Sequence, residues 1–377
     1  MDRPDILFVI TSAALGGAQT HLLELVKGLR SRFHLHVAYG QPGPLTSRLN
    51  ALGVTTTQMP SLARTLQPLQ DMQALRAFGM LLGQLAPRLI HAHSAKAGLI
   101  ARWCGPRFEI PVLYTAHGWG FADGAPTAHK WLSLALERTM APRTTGLITL
   151  TQADAQSAQR MLGYRADKIH LIANGRSDRP LLTAPRSARL SLLMLGRLCA
   201  QKNQAQALRL FARLPKGRAT LTLVGDGPDR RKLEIQAGRL NLGPDEVIFT
   251  GDLDDPQTHL SAADIVLHSA HYEGMPYAII EAFRAGKPIL ANSIPAHEEL
   301  ISHNENGLLF QSEIHGTALL KFLIDTPDLR QTLGQAARQT YLGRHQASFM
   351  TDATARLFER TLAHQVSKAT SERFAYV

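Results

Sequence analysis

The sequence is poor in cysteine and in aromatic residues, with two Cys and 6% Phe, Trp and Tyr in 377 residues. Cys104 and Cys199 give neither a disulfide framework nor metal-ligand spacing, and they suit a reducing compartment. No run approaches the roughly 18 apolar residues that a membrane span needs. The start, "MDRPDILFVI", places two acids and one arginine ahead of a short apolar run, which is not the pattern of a secretory signal. These absences lead us to expect a cytoplasmic protein that at most rests peripherally on the inner membrane face. Nucleic-acid recognition lacks its signs: no zinc-finger spacing, no recognition helix, no basic stretch with interleaved aromatics. A dinucleotide fingerprint is missing too. No GxGxxG follows the first apolar run, and the second, "HLHVAYG", does not end on an acid, which argues against NAD.

What is present suits a globular chain with sizeable cores, at 45% hydrophobic and 19% charged residues. Its length favours two domains over one. Lys and Arg number 41 against 30 Asp and Glu, a net of +11, and most of the excess falls in the first half. A basic first half suits an anionic surface or an anionic acceptor, and equally a solubilising surface.

The pattern alternates strand and helix twice over. "DILFVI" (5–10) is a short apolar run, as in a buried parallel strand. A Gly-containing loop and a helix follow, the helix with Leu22, Leu25, Val26 and Leu29 on one face. Further strands are expected at 34–40, 88–93, 112–118, 146–151 and 169–175. The segment 176–190, polar with two prolines, reads as a linker. A second set then runs through 190–196, 219–225, 247–251, 264–269 and 288–293. Helices from about 315 lead into a polar tail, "SKATSERFAYV". Alternation of this kind predicts α/β architecture: two Rossmann-like, doubly wound parallel-sheet domains facing a cleft. The domains are expected at 1–182 and 183–377, with the last helix a candidate to return to the first. Ligands in such sheets bind beyond the carboxyl ends of the strands.

The loops after strands therefore supply the candidates. Gly16 and Gly17 open the first helix, where close backbone approach and a helix N-terminus suit an anion, though a bare structural turn fits as well. His91 and His93 share a strand face with no third ligand at metal spacing, so a metal is not expected. His117, followed by Gly118 at a strand end, either faces the ligand or serves as a hydrogen-bonded structural histidine. Arg197 and Lys202 leave the first strand of the second half. There they offer a planar fork and a point charge to a diphosphate, or stand as a solvated pair. Asp226 in "LVGDGP" reads as a turn residue, and "GDLDD" (251–255) as a loop leading into a helix rather than a metal site.

The stretch "HYEGMPYAIIEAFRAGKPIL" (271–290) carries Glu273 and Glu281 eight positions apart. Pro276 suits the first helical turn, Gly286 the end and Pro288 the stop. Gly274 and Met275 then lie at a helix N-terminus that can seat a phosphate. Glu281 falls about 7–8 Å along the axis from Pro276. The carboxylates are thus too far apart to share one proton or one metal. They are spaced to grip two ends of a ligand with hydroxyls at each end and phosphates between, as in a nucleotide sugar.

At this point the residues resemble a family. Gly16-Gly17, "HSAKAG", "TAHG", "NG" (174–175), "GRL…QK", "VGDGP", "EGMP…EAFRAGKPI" and "NGLLF" resemble the retaining glycosyltransferases of family 4, with the GT-B fold. "HSAKAG" with "TAHGWGF" is most similar to the capsular and exopolysaccharide branch. The resemblance spans nearly the whole chain. It implies that Arg197 and Lys202 hold the donor diphosphate, and that Glu281 binds the ribose hydroxyls. Glu273 with the backbone of Gly274, Met275 and Pro276 holds the donor sugar and distal phosphate. His117 lies beside the sugar, Gly16 and Gly17 border acceptor and phosphate, and the base packs near Gly251, Asp252 and Leu253. It implies no metal and no cofactor, a UDP-sugar donor, a lipid-linked glycan acceptor and retention of configuration, without a double displacement. Asn292-Ser293 where the family has two glycines, Asn203 after Lys202, and "NGRSD" for "NGVD" are departures. A nucleotide-sugar epimerase and a non-catalytic nucleotide-sugar-binding subunit are the alternatives on this architecture.

Overall fold

The computed structural model describes residues 3–63, 65, 67–121, 127–182 and 189–374. The chain divides into two compact units. One holds the residues up to Phe121, those up to Gly175 and those from Ala347 onward, and the other holds Arg176–Gln346.

The first unit is a seven-stranded sheet of β1 (Asp5–Ser12), β2 (His34–Gln41), β3 (Thr55–Gln58), β4 (Leu89–His93), β5 (Val112–Ala116), β6 (Gly146–Thr149) and β7 (Ile169–Leu171). Its order is β3-β2-β1-β4-β5-β6-β7, parallel throughout. The helices between are α1 (Gly17–Leu29), α2 (Pro44–Ala51), α3 (Pro68–Leu85), α4 (Ala95–Cys104), α5 (Thr127–Met140) and α6 (Gln152–Leu162). β4 and β5 are buried at every position, as strands covered on both faces must be. One apolar layer joins the sheet to α3, α4 and α6, and the other joins it to α1 and α2. Leu22, Leu25, Val26 and Leu29 are the buried stripe of α1.

The second unit has six strands: β8 (Leu190–Leu195), β9 (Ala219–Val224), β10 (Val247–Gly251), β11 (Ile265–His268), β12 (Ile289–Asn292) and β13 (Leu308–Phe310). They run parallel in the order β10-β9-β8-β11-β12-β13. Its helices are α7 (Gln204–Ala212), α8 (Arg230–Arg239), α9 (Gln257–Ala262), α10 (Tyr277–Arg284), α11 (Pro295–Glu298), α12 (Glu313–Asp325) and α13 (Pro327–Arg344). Strand order reverses between β1 and β4 in one unit and between β8 and β11 in the other. The loops after those four strands flank the crevice that such sheets offer to ligands. Backbone freedom matters at Gly225, at φ 132, where a Cβ would stand 2.3 Å from the Gly196 carbonyl oxygen.

Three sequence expectations shift. The crossover falls at Gly175/Arg176 rather than 182/183. Arg176 is already tied into the second unit, its N–H donating to His345 O (2.8 Å) and its carbonyl accepting from Tyr341 Oη (2.9 Å). Residues 183–188 of the expected linker lie outside the described residues. The strand at 169–175 stops at Leu171. Asn174, beyond its end, turns its side chain to His21. Pro276 is the N-cap of α10, with ψ 121, not its first helical residue.

The last helix, α14 (Ala347–Phe374), returns to the first unit as expected and takes in the expected tail as far as Phe374, while 375–377 lie outside the described residues. It lies on α1, with the Thr351 side chain over Gly28. Phe358 is fully buried, its ring 6.2 Å from Phe8 and 5.5 Å from Phe33. We expect Phe358→Ala to lower stability in urea unfolding by about 3–5 kcal/mol, the cost of a large cavity.

Candidate functional site

In the second unit the site is built from loops at the reversal point. β8 ends at Leu195 and leads through Arg197 to a 3-10 turn, Ala200–Lys202. β11 ends at His268 and leads through Glu273 to the N-terminus of α10. Side chains and backbone stitch the two loops together. His271 N–H donates to Gln201 O (2.8 Å), Gln201 Nε2 to Tyr272 O (3.0 Å), and Ser269 Oγ to Asn203 O (2.9 Å).

Asn292 holds the second loop from β12. Its Oδ1 accepts from Ala270 N–H (2.9 Å), and its Nδ2 donates to Ala270 O (2.8 Å). A glycine could make neither bond. This is what the Asn292 departure does.

Lys202 Nζ thereby reaches the Glu273 carboxylate and forms a part-buried ion pair with it. His268 Nε2 lies 3.6 Å from the same oxygen, and the His297 ring is 5.0 Å from the His268 ring. Burial pushes the Glu273 carboxyl up, but the Lys202 ammonium and His268 outweigh it and hold the group down at about 2. Burial lowers both histidines, His297 to about 3, so each is neutral at pH 7. His297 Nδ1–H donates to Asn292 O (2.7 Å), which turns its bare Nε2 inward. The centre therefore combines one fixed cation, one fixed anion and two neutral rings.

The other expected residues surround it. Arg197 is exposed beside Leu198, whose N–H donates to Asp226 O (2.9 Å). Asp226 is a turn residue: its carboxylate takes Gly227 N–H (2.7 Å) and Arg230 Nη1 (3.1 Å). Gly251 O accepts from Gly225 N–H (2.9 Å), and Asp252 Oδ1 from Asp226 N–H (2.8 Å), which ties the Gly251–Asp252–Leu253 corner to the same chain of loops. Gly274, Met275 and Pro276 are buried just ahead of α10. Glu281, in the middle of that helix, is engaged by Arg176, whose Nε donates to its Oε1 at 3.1 Å. Arg176 is the residue behind the "NGRSD" departure.

The first unit carries a histidine cluster at its own reversal point. His93 ends β4, His117 follows β5, and His21 projects from α1, the helix that Gly16 and Gly17 open. His93 Nδ1 and His117 Nε2 are 3.1 Å apart, and the His21 ring centre is 4.9 Å from that of His117. His21 Nδ1–H donates to Asn174 Oδ1 (2.8 Å), and His91 Nε2 pairs with Thr115 Oγ1 (2.7 Å). Burial lowers all four, His21 to about 4, so the cluster is uncharged at neutral pH. Gly16 is the exposed N-cap of α1, and Gly17 its first residue.

One ring nitrogen each from His21, His93 and His117 lie within 4.8 Å of one another. The third imidazole, which sequence spacing did not reveal, is thus supplied by a helix. Metal-binding imidazoles are usually anchored at their outer nitrogen. His21 is, but His93 Nε2 is buried with no hydrogen-bond partner. His93 Nδ1 and His117 Nε2 stand at hydrogen-bond distance of each other, 3.1 Å apart.

Sequence reasoning missed His21, His268 and His297, and it gave Asn174 and Arg176, seen only in the NG motif and the NGRSD departure, no role. The available signal was a histidine at the carboxyl end of a strand, which His93 and His268 share.

Two matched family regions account for most of the chain. Residues 16–175 match the glycosyl transferase 4-like domain, and residues 184–340 match the glycosyl transferases group 1 family. The chain is 30% identical to the putative glycosyltransferase EpsD of Bacillus subtilis over 275 residues, 67% of this chain and 72% of that one. The chain belongs to family 4 of the glycosyltransferases. It is also 27% identical, over 300 residues, to an Escherichia coli UDP-Gal:alpha-D-GlcNAc-diphosphoundecaprenol alpha-1,3-galactosyltransferase, covering 74% of this chain and 76% of that one. The fold of this glycosyltransferase matches Anabaena HepE solved with UDP and glucose, at TM-score 0.83 and 21% identity, over 95% of this chain and 100% of that one. WaaG, a glycosyltransferase involved in lipopolysaccharide biosynthesis, matches at TM-score 0.75 and 17% identity, over 92% and 98%. The architecture is GT-B, and the family places the enzyme in glycan biosynthesis of the exopolysaccharide type.

The histidine cluster sets an acid limit. His21 is held at about 4, below its ordinary 6.5. Its share of stability is thus complete above 6.5 and lost as pH falls toward 4. We expect stability to drop across that window by on the order of 3 kcal/mol from His21. Urea unfolding of wild type and His21→Leu at several pH values checks this, the variant showing the shallower loss.

Proposed function

We propose that this glycosyltransferase moves a sugar from a UDP-sugar to a hydroxyl of a lipid-linked glycan, with retention of anomeric configuration and without a metal. The observation that carries the reading is the joining of Lys202 to Glu273 at the N-terminus of α10, with Glu281 further along the same helix. That helix offers a row of three functions: sugar contact, phosphate seat and ribose anchor. The relatives support the donor and acceptor. HepE was solved with UDP and with UDP-glucose, and the E. coli relative is named for UDP-Gal and a diphosphoundecaprenol-linked sugar.

In this reading the diphosphate meets Lys202 and Arg197 and the backbone of Gly274, Met275 and Pro276. The nucleotide's ribose hydroxyls bond to the Glu281 carboxylate beside Arg176. The base packs at Gly251, Asp252 and Leu253. Glu273, fully ionised, accepts from donor-sugar hydroxyls. The neutral His117 hydrogen-bonds the sugar, and Gly16 and Gly17 border acceptor and phosphate.

Glu273 is already neutralised by Lys202, which makes it a poor nucleophile for a covalent glycosyl intermediate. Displacement on the leaving-group face follows. The acceptor hydroxyl attacks the anomeric carbon as the sugar–phosphate bond breaks, and the departing diphosphate takes the hydroxyl proton. The protein's contribution is positioning and stabilisation of charge on the leaving oxygen. Lys202 and Arg197 can supply that charge in place of a divalent ion.

The test is nucleotide release together with the anomeric coupling of the product, using polyprenyl-diphosphate sugars as acceptors and EDTA throughout. We expect an axial product from an axial donor, undiminished by EDTA. Lys202→Met and Glu281→Gln should each lose transfer by about 100-fold or more, on the order of a lost charged hydrogen bond in the transition state. An inverted product or full dependence on metal would overturn the mechanism. Donor interconversion without acceptor would identify an epimerase instead.

A further inference from the structure

We propose that His21, His93 and His117 form a binding site for a divalent transition-metal ion of the zinc class, and that the ion blocks transfer by occupying His117. Binding stands on the geometry of the first unit alone. The effect on transfer rests on the reading that His117 contacts the donor sugar. One ring nitrogen from each histidine lies within 4.8 Å of the other two. Zinc–nitrogen bonds of about 2.0–2.1 Å at tetrahedral angles set donor nitrogens about 3.4 Å apart and ring centres about 5 Å apart. Here His93 Nδ1 and His117 Nε2 are 3.1 Å apart. The ring centres are separated by 4.9 Å for His21–His117, 5.3 Å for His21–His93 and 5.4 Å for His93–His117. The triangle already has the size that such an ion needs.

The donor set selects the metal. Three imidazoles suit zinc, copper or nickel, and not magnesium or calcium, which take oxygen ligands. His21 is oriented in advance, because its Nδ1 is held by Asn174 Oδ1 at 2.8 Å and its Nε2 is left for the ion. His91, with its ring 4.2 Å from that of His93, pairs with Thr115 Oγ1 and stays behind the site. His21 and His93 are buried and His117 is part exposed, so the ion enters from the His117 side. Water fills the fourth position, as in other three-histidine zinc centres. Ligation through Nδ1 places the His93 proton on Nε2, which is buried with no hydrogen-bond partner among the described residues. Ligands that lack such an outer partner bind about 10- to 100-fold more weakly. The ion is therefore exchangeable rather than resident. It acts as a brake and takes no part in the reaction: it stands where the sugar would meet the His117 ring.

Titration of the chelator-treated full chain with cobalt(II), then with zinc, tests this. We expect one equivalent of cobalt to give the intense visible bands of a four-coordinate ion, zinc to bleach them, and magnesium to leave them unchanged. Asn174→Ala should weaken binding about 10- to 100-fold, the cost of a ligand's outer hydrogen bond, and His21→Gln by about 100-fold or more. His34→Gln with His36→Gln, a histidine pair on β2, should bind like wild type. Circular dichroism should show every variant folded. Wild type without four-coordinate bands would overturn the proposal. So would undiminished binding in both His21→Gln and Asn174→Ala, or binding lost with the β2 pair instead. Transfer assays then separate this inference from the sugar reading. Zinc should inhibit transfer at the concentration that fills the site, and the inhibitory concentration should rise in Asn174→Ala in step with its weakened binding. Binding without inhibition would uphold the site and count against the His117–sugar contact. Absence of binding would end the proposal and leave the transferase reading standing.

Discussion

The part-buried pair of Lys202 and Glu273 is the interaction on which the second unit's site depends. Glu273, whose side chain is 8% exposed, could not sit there ionised without a cation beside it, since an unpaired buried charge is strongly destabilising. The pair forces the loop after β8 and the loop after β11 to meet, and the stitching through Gln201, Asn203 and Asn292 follows from that meeting. It also fixes the chemistry. A carboxylate held at about 2 by an ammonium stays charged through the physiological range, so it can accept hydrogen bonds but neither takes nor gives a proton readily. Behind it stand two histidines that burial keeps neutral, His268 and His297.

The parallel sheets place this centre where it is. Each sheet sends its strand ends one way, and its order reverses once, beside β1 and β4 in the first unit and beside β8 and β11 in the second. The reversal points collect His21, His93 and His117 in one unit and Lys202, Glu273 and His268 in the other. The two clusters differ in kind. The first is a neutral ring network anchored by Asn174, and the second is an ion pair.

Much of this was legible in the sequence. The alternation of apolar runs and amphipathic stretches defined the two sheets, and the Glu273–Glu281 spacing identified α10. What was not legible is contact between residues distant in the chain. The His21–Asn174 bond joins positions 153 residues apart, and Arg176–Glu281 joins positions 105 apart, with no local pattern to announce either. The same reason hid the third imidazole beside His93 and His117, which comes from a helix rather than a strand. The return of the last helix to the first unit was expected, and it is carried by apolar residues such as Met350, Leu357 and Phe358 set in a largely polar helix. Arg176 was visible only as a departure from the family pattern. The geometry gives it a partner, since its Nε donates to Glu281 Oε1 at 3.1 Å.

The central claim is that the second unit holds a nucleoside diphosphate with Lys202 at the phosphates and Glu281 at the ribose. Titration calorimetry with UDP, 2′-deoxy-UDP and uridine tests it most directly. The account predicts that Lys202→Met weakens UDP by about 10- to 100-fold while leaving uridine unchanged, and that Glu281→Gln abolishes the preference for UDP over its 2′-deoxy form. Equal dissociation constants for UDP in wild type and both variants would contradict it.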